Sequence, residues 1–228
     1  TIAALDLLGS SYQWETKIYL NGTLKAGTLK GDLVLKGSGD PWLVIERFWK
    51  LLKNLQAQGL KHIDGDLVID DHLFDQSAID TQTLDGQAFR AYNTPPGAAL
   101  INFSATRIVI RPALNRLTVR AEPPTSTLQI KNKVRVLPGA CAGRNGGITI
   151  TITAHSNRTE VTVGGQYPPT CGEVVLVRSV QPHHQYIYGV FRHLWEEMGG
   201  SLAGTVRKGT AAPGNTEFLS FPSVPLGQ

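Results

Sequence analysis

The sequence predicts an α+β fold, rich in strand and carrying a few amphipathic helices. Three observations point that way. From Ala98 onward, segment after segment alternates apolar and polar residues or is dense in Val, Ile and Thr, the mark of half-buried strands. Leu43–Gln58 and Pro182–Met198 instead repeat apolar residues every three or four positions, the period of a helix face. Gly31-Asp32-Leu33-Val34 returns as Gly65-Asp66-Leu67-Val68 beyond the first helical stretch, so two similar strands are joined by an amphipathic connection.

Taken in order, Thr1–Leu8 reads as the end of a helix, with Ile2, Leu5 and Leu8 on one side and Gly9 as its stop. Tyr12–Leu20 alternates and reads as a strand. Asn21-Gly22 predicts a hairpin turn into Thr23–Gly27; with Thr23 it also fits a glycosylation sequon, over which the plain turn is preferred. Lys30–Leu43 opens as a strand, Leu33 and Leu35 alternating with Asp32, Val34 and Lys36. Gly37, Gly39 and Pro41 then break it, and Ser38 and Asp40 can bond the turn backbone. No GK[ST] follows, so these glycines are not a phosphate loop. Leu43–Gln58 places Val44, Phe48, Leu51, Leu52 and Leu55 on one face and ends at Gly59. Trp49 is assigned to core or edge packing. A strand follows at Gly65–Asp70.

Residues 71–91 are polar and irregular, long for a connection inside a domain, and long loops are enriched in function. Strands are expected at Ala105–Arg111, Arg116–Ala121, Leu128–Val136, Gly147–Ala154, Arg158–Gly164 and Glu173–Val180, with turn signals between them. Pro182–Met198 stacks Tyr186, Val190, Phe191, Leu194 and Trp195 and stops at Gly199-Gly200. Ser220–Gln228 has no strong pattern.

Of 228 residues, 41% are hydrophobic and 18% charged, which argues for a folded chain. The net charge is +4, and lysines and arginines are scattered without runs or an interleaved aromatic stripe. A nucleic-acid partner is therefore not expected, and a solvated mixed-charge surface is. No apolar run reaches the roughly 20 residues of a membrane helix. The first residues lack a signal-peptide pattern and an initiator Met and begin in mid-helix, so the chain is expected to be cut from a longer one. His183 and His184 are adjacent and diverge by about 100° on a helix, which is not a metal face. Neither a metal nor another cofactor is called for. Cys141 and Cys171 are the only cysteines; by themselves they exclude a zinc site but fit either free thiols or a disulfide.

Four separated segments carry a resemblance. They are Gly31–Pro41 (GDLVLKGSGDP), Gly59–Asp75 (GLKHIDGDLVIDDHLFD), Tyr92–Leu100 (YNTPPGAAL) running into Asn102-Phe103, and Val190–Trp195 (VFRHLW) with Gly199–Gly204 (GGSLAG). In this order they resemble the D-alanyl-D-alanine carboxypeptidases of the penicillin-binding protein 4 type, serine peptidases of the S13 family. The likeness covers nearly the whole chain. Members are exported, which implies a periplasmic location and favours a Cys141–Cys171 disulfide. In the chain-entropy account, closing a loop of that size contributes on the order of 3–4 kcal/mol.

The family's chemistry uses a serine in Ser-x-x-Lys, whose lysine takes the hydroxyl proton, with Ser-x-Asn and Lys-Thr-Gly in support. None of the three occurs here, and Lys208-Gly209-Thr210 has the right residues in the wrong order. No catalytic residue is therefore assigned. The resemblance implies that the chain is the β-rich region inserted between the first and second motifs. Residues 1–20 would be a stub of the catalytic domain, namely the end of the nucleophile helix and a strand. Residues 21–205 would be the insert, in two nested subdomains, and 206–228 the return toward a penicillin-binding, serine β-lactamase-like domain. A non-catalytic envelope binding or scaffold module is the alternative. The family also implies a substrate, the peptidoglycan stem peptide with its diaminopimelate side chain, an ammonium and a carboxylate on one carbon. Asp85–Tyr92 offers Asp85 for the ammonium, Arg90 for the carboxylate and Tyr92 as an apolar wall. The packing alternative is that Phe89 and Tyr92 only anchor the loop.

Overall fold

The computed structural model describes residues 2–75, 89–113, 116–141, 143 and 147–228. Helix α1 (Ile2–Leu8) buries none of its side chains, although Ile2, Leu5 and Leu8 fall at helical spacing. Strands β1 (Glu15–Lys25) and β2 (Thr28–Lys36) form a hairpin; α2 (Ile45–Ala57), β3 (His62–Ile63) and β4 (Leu67–Asp70) follow. The strand-rich middle holds β5 (Thr106–Ala113), β6 (Arg116–Glu122), β7 (Leu128–Asn132), β8 (Arg135–Val136), β9 (Ile148–Ala154), β10 (Thr159–Tyr167) and β11 (Val174–Arg178). Helix α3 (His183–Glu197) leads to β12 (Ser201–Leu202), β13 (Val206–Lys208) and β14 (Thr216–Pro222). No helix among the described residues is long and apolar enough to cross a membrane. The chain divides into two compact units. Unit one takes Thr1–Thr81, Pro95–Phe103 and Leu194–Gln228; unit two takes Gln82–Thr94 and Ser104–His193.

In unit one the β1–β2 hairpin corrects the expected turn. Asn21 and Gly22 lie inside β1, opposite Asp32 and Gly31. The chain reverses instead at Ala26 and Gly27, with φ of +48° and +82°, the left-handed pair that a two-residue hairpin requires. Gly22 serves close approach, since a Cβ there would lie 2.2 Å from the Lys30 carbonyl oxygen.

The two Gly-Asp-Leu-Val strands, read from the sequence as similar, also pair: β4 runs parallel to β2, with Leu33, Val34 and Leu35 opposite Leu67, Val68 and Ile69. A third copy was not expected. β12 and β13 lie parallel to β3 and β4, so Gly31, Gly65 and Gly204 stand in a row. The Gly65 amide donates to the Gly31 carbonyl at 3.0 Å, and the Gly204 amide to the Gly65 carbonyl at 3.1 Å. Each aspartate serves the next copy: Asp32 Oδ1 accepts the Asp66 amide and Asp66 Oδ1 the Thr205 amide, both at 2.8 Å. Arg207 joins the carboxylates, 2.6 Å from Asp32 and 3.5 Å from Asp66. β14, with one buried residue and weak alternation, carries no clear strand signal in the sequence; it pairs antiparallel with β1.

Helix α2 matches its predicted stripe, burying Phe48, Leu51, Leu52 and Leu55. It closes at Gly59, where the Leu60 amide reaches back to the Leu55 carbonyl at 3.1 Å, a glycine-dependent stop. Trp49 is half-exposed, with the Lys53 ammonium 5.5 Å from its ring. The turn after β2 is held as expected by Asp40, whose Oδ1 accepts the Trp42 amide at 2.8 Å. Its other oxygen is buried with no hydrogen-bond partner. Burial pushes this carboxyl above its ordinary value of 3.8, against the Trp42 amide and Arg47.

Unit two is a sandwich. One sheet is β11-β5-β6, three strands; the other is β7-β10-β8 with β9 on β10, four strands. Ile108, Ile110, Leu117, Val161, Val163, Tyr167, Val174 and Leu176 fill the space between them. The predicted Leu128–Val136 strand is broken in two, because the Asn132 side chain accepts the Val134 amide and donates to the Leu117 carbonyl, at 3.1 and 2.8 Å. Cys141 and Cys171 form a disulfide with Cα atoms 4.9 Å apart, beside the Thr170 hydroxyl bond to the Gly139 carbonyl.

Two outcomes test this account. A Cβ at Gly65 would sit 2.4 Å from the Gly31 carbonyl oxygen, so Gly65→Ala should cost about 1–3 kcal/mol of unfolding free energy, as overpacking does. Gly214, with nothing within 4 Å of its Cβ position, should accept Ala within about 0.5 kcal/mol; equal costs would sink the stacking argument. For Asp40, a raised folded-state pKa means the ionised carboxylate opposes folding. That opposition is absent below pH 3.8 and grows as pH rises through the raised value. Asp40→Asn keeps the acceptor for Trp42, so in chemical denaturation it should be more stable than the parent at neutral pH, with the gap closing in acid. A gap independent of pH would contradict this.

Candidate functional site

The loop that the sequence singles out enters the described residues at Phe89; Asp85 lies outside them. Phe89 and Arg90 join the sandwich edge. The Ser179 amide donates to the Phe89 carbonyl at 3.0 Å, and Arg90 forms an antiparallel bridge with Arg178. The chain then tightens into a single 3₁₀ turn over Ala91–Asn93, with the Asn93 amide on the Arg90 carbonyl at 2.9 Å. Pro95 and Pro96 cannot continue a helix, so the turn ends there. This geometry lifts Tyr92 out of the fold: it is 61% exposed, and Phe89 is 47% exposed.

Between this segment and β11 lies a groove of about 640 Å³, lined by Arg90, Ala91, Tyr92 and residues 173–178. Its end is cationic. Burial, then the like charge of Arg90, pulls Arg178 below its ordinary value, while Tyr92 opposes the shift. Two arginines on bridged backbone positions favour an anion beside them, most strongly a carboxylate that can accept two parallel N–H bonds. Glu173 stands at the far end of the same groove, paired with Arg111. The structure thus brings together Arg90 and Tyr92, which the sequence reading named, and Arg178, which it missed. The signal was present: Val174 and Leu176 face the core, so Arg178 is an arginine in the apolar phase of a strand.

A second groove, of about 330 Å³ in unit one, is lined by Asp71, His72, Phe74, Lys208 and Thr210 among others. It places the reordered Lys208-Gly209-Thr210. Asp71 in the groove and Asp70 beside it are occupied by structural bonds. Asp70, fully buried, accepts from His72 Nδ1 and from the Ala211 amide. Asp71 Oδ1 accepts the Ala99 amide at 2.8 Å. This arrangement pins the chain after β4 and after β13. The Asn102-Phe103 pair, part of the resembling segment, is strained. Asn102, Phe103 and Ser104 have φ of +45°, +56° and +47°, a left-handed run that costs roughly 1–2 kcal/mol per residue.

The chain is similar to known proteins in sequence and in fold. D-alanyl-D-alanine carboxypeptidase DacB of Haemophilus influenzae is 35% identical over 101 residues, which is 44% of this chain and 21% of that protein. The D-alanyl-D-alanine carboxypeptidase of Actinomadura sp. strain R39 is 22% identical over 213 residues, 91% of this chain and 39% of that protein. The crystal structure of penicillin-binding protein 4 from Haemophilus influenzae aligns with a TM-score of 0.71 at 23% identity, over 99% of this chain and 49% of that one. Its complex with a β-lactam gives 0.67, over 48% of that chain. The fold is therefore shared, and the chain spans well under two thirds of the length of these relatives. The D-Ala-D-Ala carboxypeptidase 3 (S13) family matches without a break over residues 1–228, and the chain belongs to that family.

Proposed function

We propose that this chain is the substrate-recognition part of a periplasmic serine-type D-Ala-D-Ala carboxypeptidase or DD-endopeptidase, which cleaves peptidoglycan stem peptides through an acyl-enzyme. The observation that carries this is a coincidence. The family match is continuous over residues 1–228, yet the sequence contains no Ser-x-x-Lys, Ser-x-Asn or Lys-Thr-Gly. On this reading residues 1–20 and 206–228 belong with the catalytic domain, and 21–205 form its insert. The chain supplies no nucleophile. Its contribution is the cationic groove, where Arg90 meets the carboxylate of a diaminopimelate side chain, Tyr92 covers its methylenes and Asp85 meets its ammonium. Arg178, beside Arg90, strengthens the positive end.

Two experiments follow from this reading. Purified chain should release no D-alanine from a pentapeptide and take up no β-lactam by intact mass; a stoichiometric adduct would falsify the division of labour. In the longer parent, which carries the nucleophile, Asp85→Ala, Arg90→Ala and Tyr92→Ala should each raise the barrier for diaminopimelate-containing peptides by about 1–3 kcal/mol, the range for a lost charge-assisted or apolar contact. A small β-lactam without that side chain should acylate nearly as before. Equal losses on both substrates, or none on either, would show that the groove is structural.

A further inference from the structure

The overall charge of +4 conceals a division. Unit two holds twelve lysines and arginines against four carboxylates, a net +8, while unit one holds ten against fourteen, a net −4. The division extends to residue type: ten of the twelve arginines lie in unit two and eight of the ten lysines in unit one. Arginine, with its planar fork, is the residue suited to pairing with carboxylate or phosphate.

The sandwich concentrates this charge on one face. In β5 and β6 the residues on the face away from the sandwich core are Arg107, Val109 and Arg111, opposite Glu122, Arg120 and Thr118 across the pair; Val109 is itself buried beneath its neighbours, and Ala113 is opposite Arg116. Four arginines therefore share the outer face of the three-stranded sheet. Arg107 and Arg111 are about 13 Å apart along their strand, as are Arg116 and Arg120, and the two rows lie about 5 Å apart. Among the described residues two carboxylates meet them: Glu122 takes both Arg107 and Arg120, and Glu173 takes Arg111. Arg107, Arg111 and Arg120 remain just over half exposed, and Arg116 is exposed with no ion pair among the described residues. The outer face of the other sheet contrasts with this. There Thr149, Thr151, Thr153 and Thr162 surround a single balanced pair, Lys131–Glu160.

We infer that the arginine face of β5 and β6 is a docking surface for an anionic cell-wall polymer, peptidoglycan bearing free stem-peptide carboxylates. The choice of polymer rests on the proposed function; the excess of arginine does not. A wall polymer fits better than a lipid surface, because the apolar side chains of β11 that share this face, Val175 and Val177, are short, and membrane insertion requires larger ones. Repeated anions along a strand also suit two rows of guanidinium groups, since several weak ion pairs formed together exceed any one alone.

The test is co-sedimentation of the chain with purified insoluble peptidoglycan. The chain should pellet at low salt and be released as salt rises from about 0.01 to about 1 M, which shortens the screening length from about 30 to about 3 Å. Arg107→Gln, Arg111→Gln, Arg116→Gln and Arg120→Gln together should reduce pelleting at least tenfold at an unchanged circular dichroism spectrum. Should that variant misfold, Arg116→Glu alone, which breaks no ion pair, should still cut it severalfold. Lys131→Gln on the opposite sheet should change it less than twofold. Retained pelleting in the folded arginine variants overturns the proposal, as does equal binding to phosphatidylglycerol vesicles. Tyr92→Ala separates the two readings: it should weaken pelleting far less than the fourfold arginine variant does, and if it alone abolishes pelleting, binding runs through the substrate groove and the arginine face has no part in it.

Discussion

Unit one depends on how closely three glycines can stack. Gly31, Gly65 and Gly204 bring three parallel segments to within a backbone hydrogen bond of each other, and Cβ atoms at Gly65 and Gly204 would fall 2.4 and 2.2 Å from the preceding carbonyl. That closeness lets an aspartate on one segment reach the backbone of the next. Burial raises the pKa of Asp32, but the Asp66 amide, Arg207 and Asn21 outweigh it and hold the carboxyl below its ordinary value. The ladder also explains why its last copy departs from the pattern. Among the described residues β13 pairs only with β4, so an aspartate at Thr205 would have no further amide to accept. Gly204-Thr205-Val206 thus retains the glycine that the stack requires and drops the acid that it does not.

Unit two is held by different means. A buried polar cluster ties the start of α3 to the sheet: Gln181 Nε2 donates to Thr127 Oγ1 at 2.9 Å, the Thr127 hydroxyl to the Gln185 carbonyl at 3.1 Å, and the Thr159 hydroxyl to Gln185 Oε1 at 3.2 Å. Gly189 makes room for it, since a Cβ there would lie about 2 Å from two threonine hydroxyls. Buried polar groups are costly unless satisfied. These bonds offset most of that cost and link helix to strand, with Gln181 Oε1 left buried without a hydrogen-bond partner. The Cys141–Cys171 bond sits at the other side of β10, where Tyr167, fully buried, donates to the Gly172 carbonyl at 2.7 Å.

What was legible in the sequence follows from which signals are local. The α2 stripe and its glycine stop are properties of adjacent turns, and both were read correctly. The Gly-Asp-Leu-Val pair was visible because β2 and β4 lie 34 positions apart and keep the same residues at the glycine, aspartate and leucine. Its third copy was not, since 139 positions intervene and only the glycine is kept. Asn21-Gly22 has the strongest turn composition in the region, yet tertiary contact overrode it: both residues are needed inside a strand, where Gly22 meets the Lys30 carbonyl and Asn21 donates to Asp32. At the site, Arg90 and Tyr92 could be named from the resemblance. Arg178 carried a signal of its own, an arginine in the apolar phase of a strand, but only the bridge to Arg90 ties that signal to the site.

The same distinction governs charge. Read along the chain, the basic residues look scattered, since Arg107, Arg111, Arg116 and Arg120 are separated by apolar and small residues. Strand geometry undoes that scatter. Residues four apart return to one face of a sheet, and an antiparallel hairpin lays two such rows side by side. A helix would have gathered residues four apart into a single stripe, with no second row beside it. Linear spacing thus decides nothing about a basic surface until the period of the element is known, and the mild net charge of the whole chain is the difference between an acidic unit and a strongly basic one.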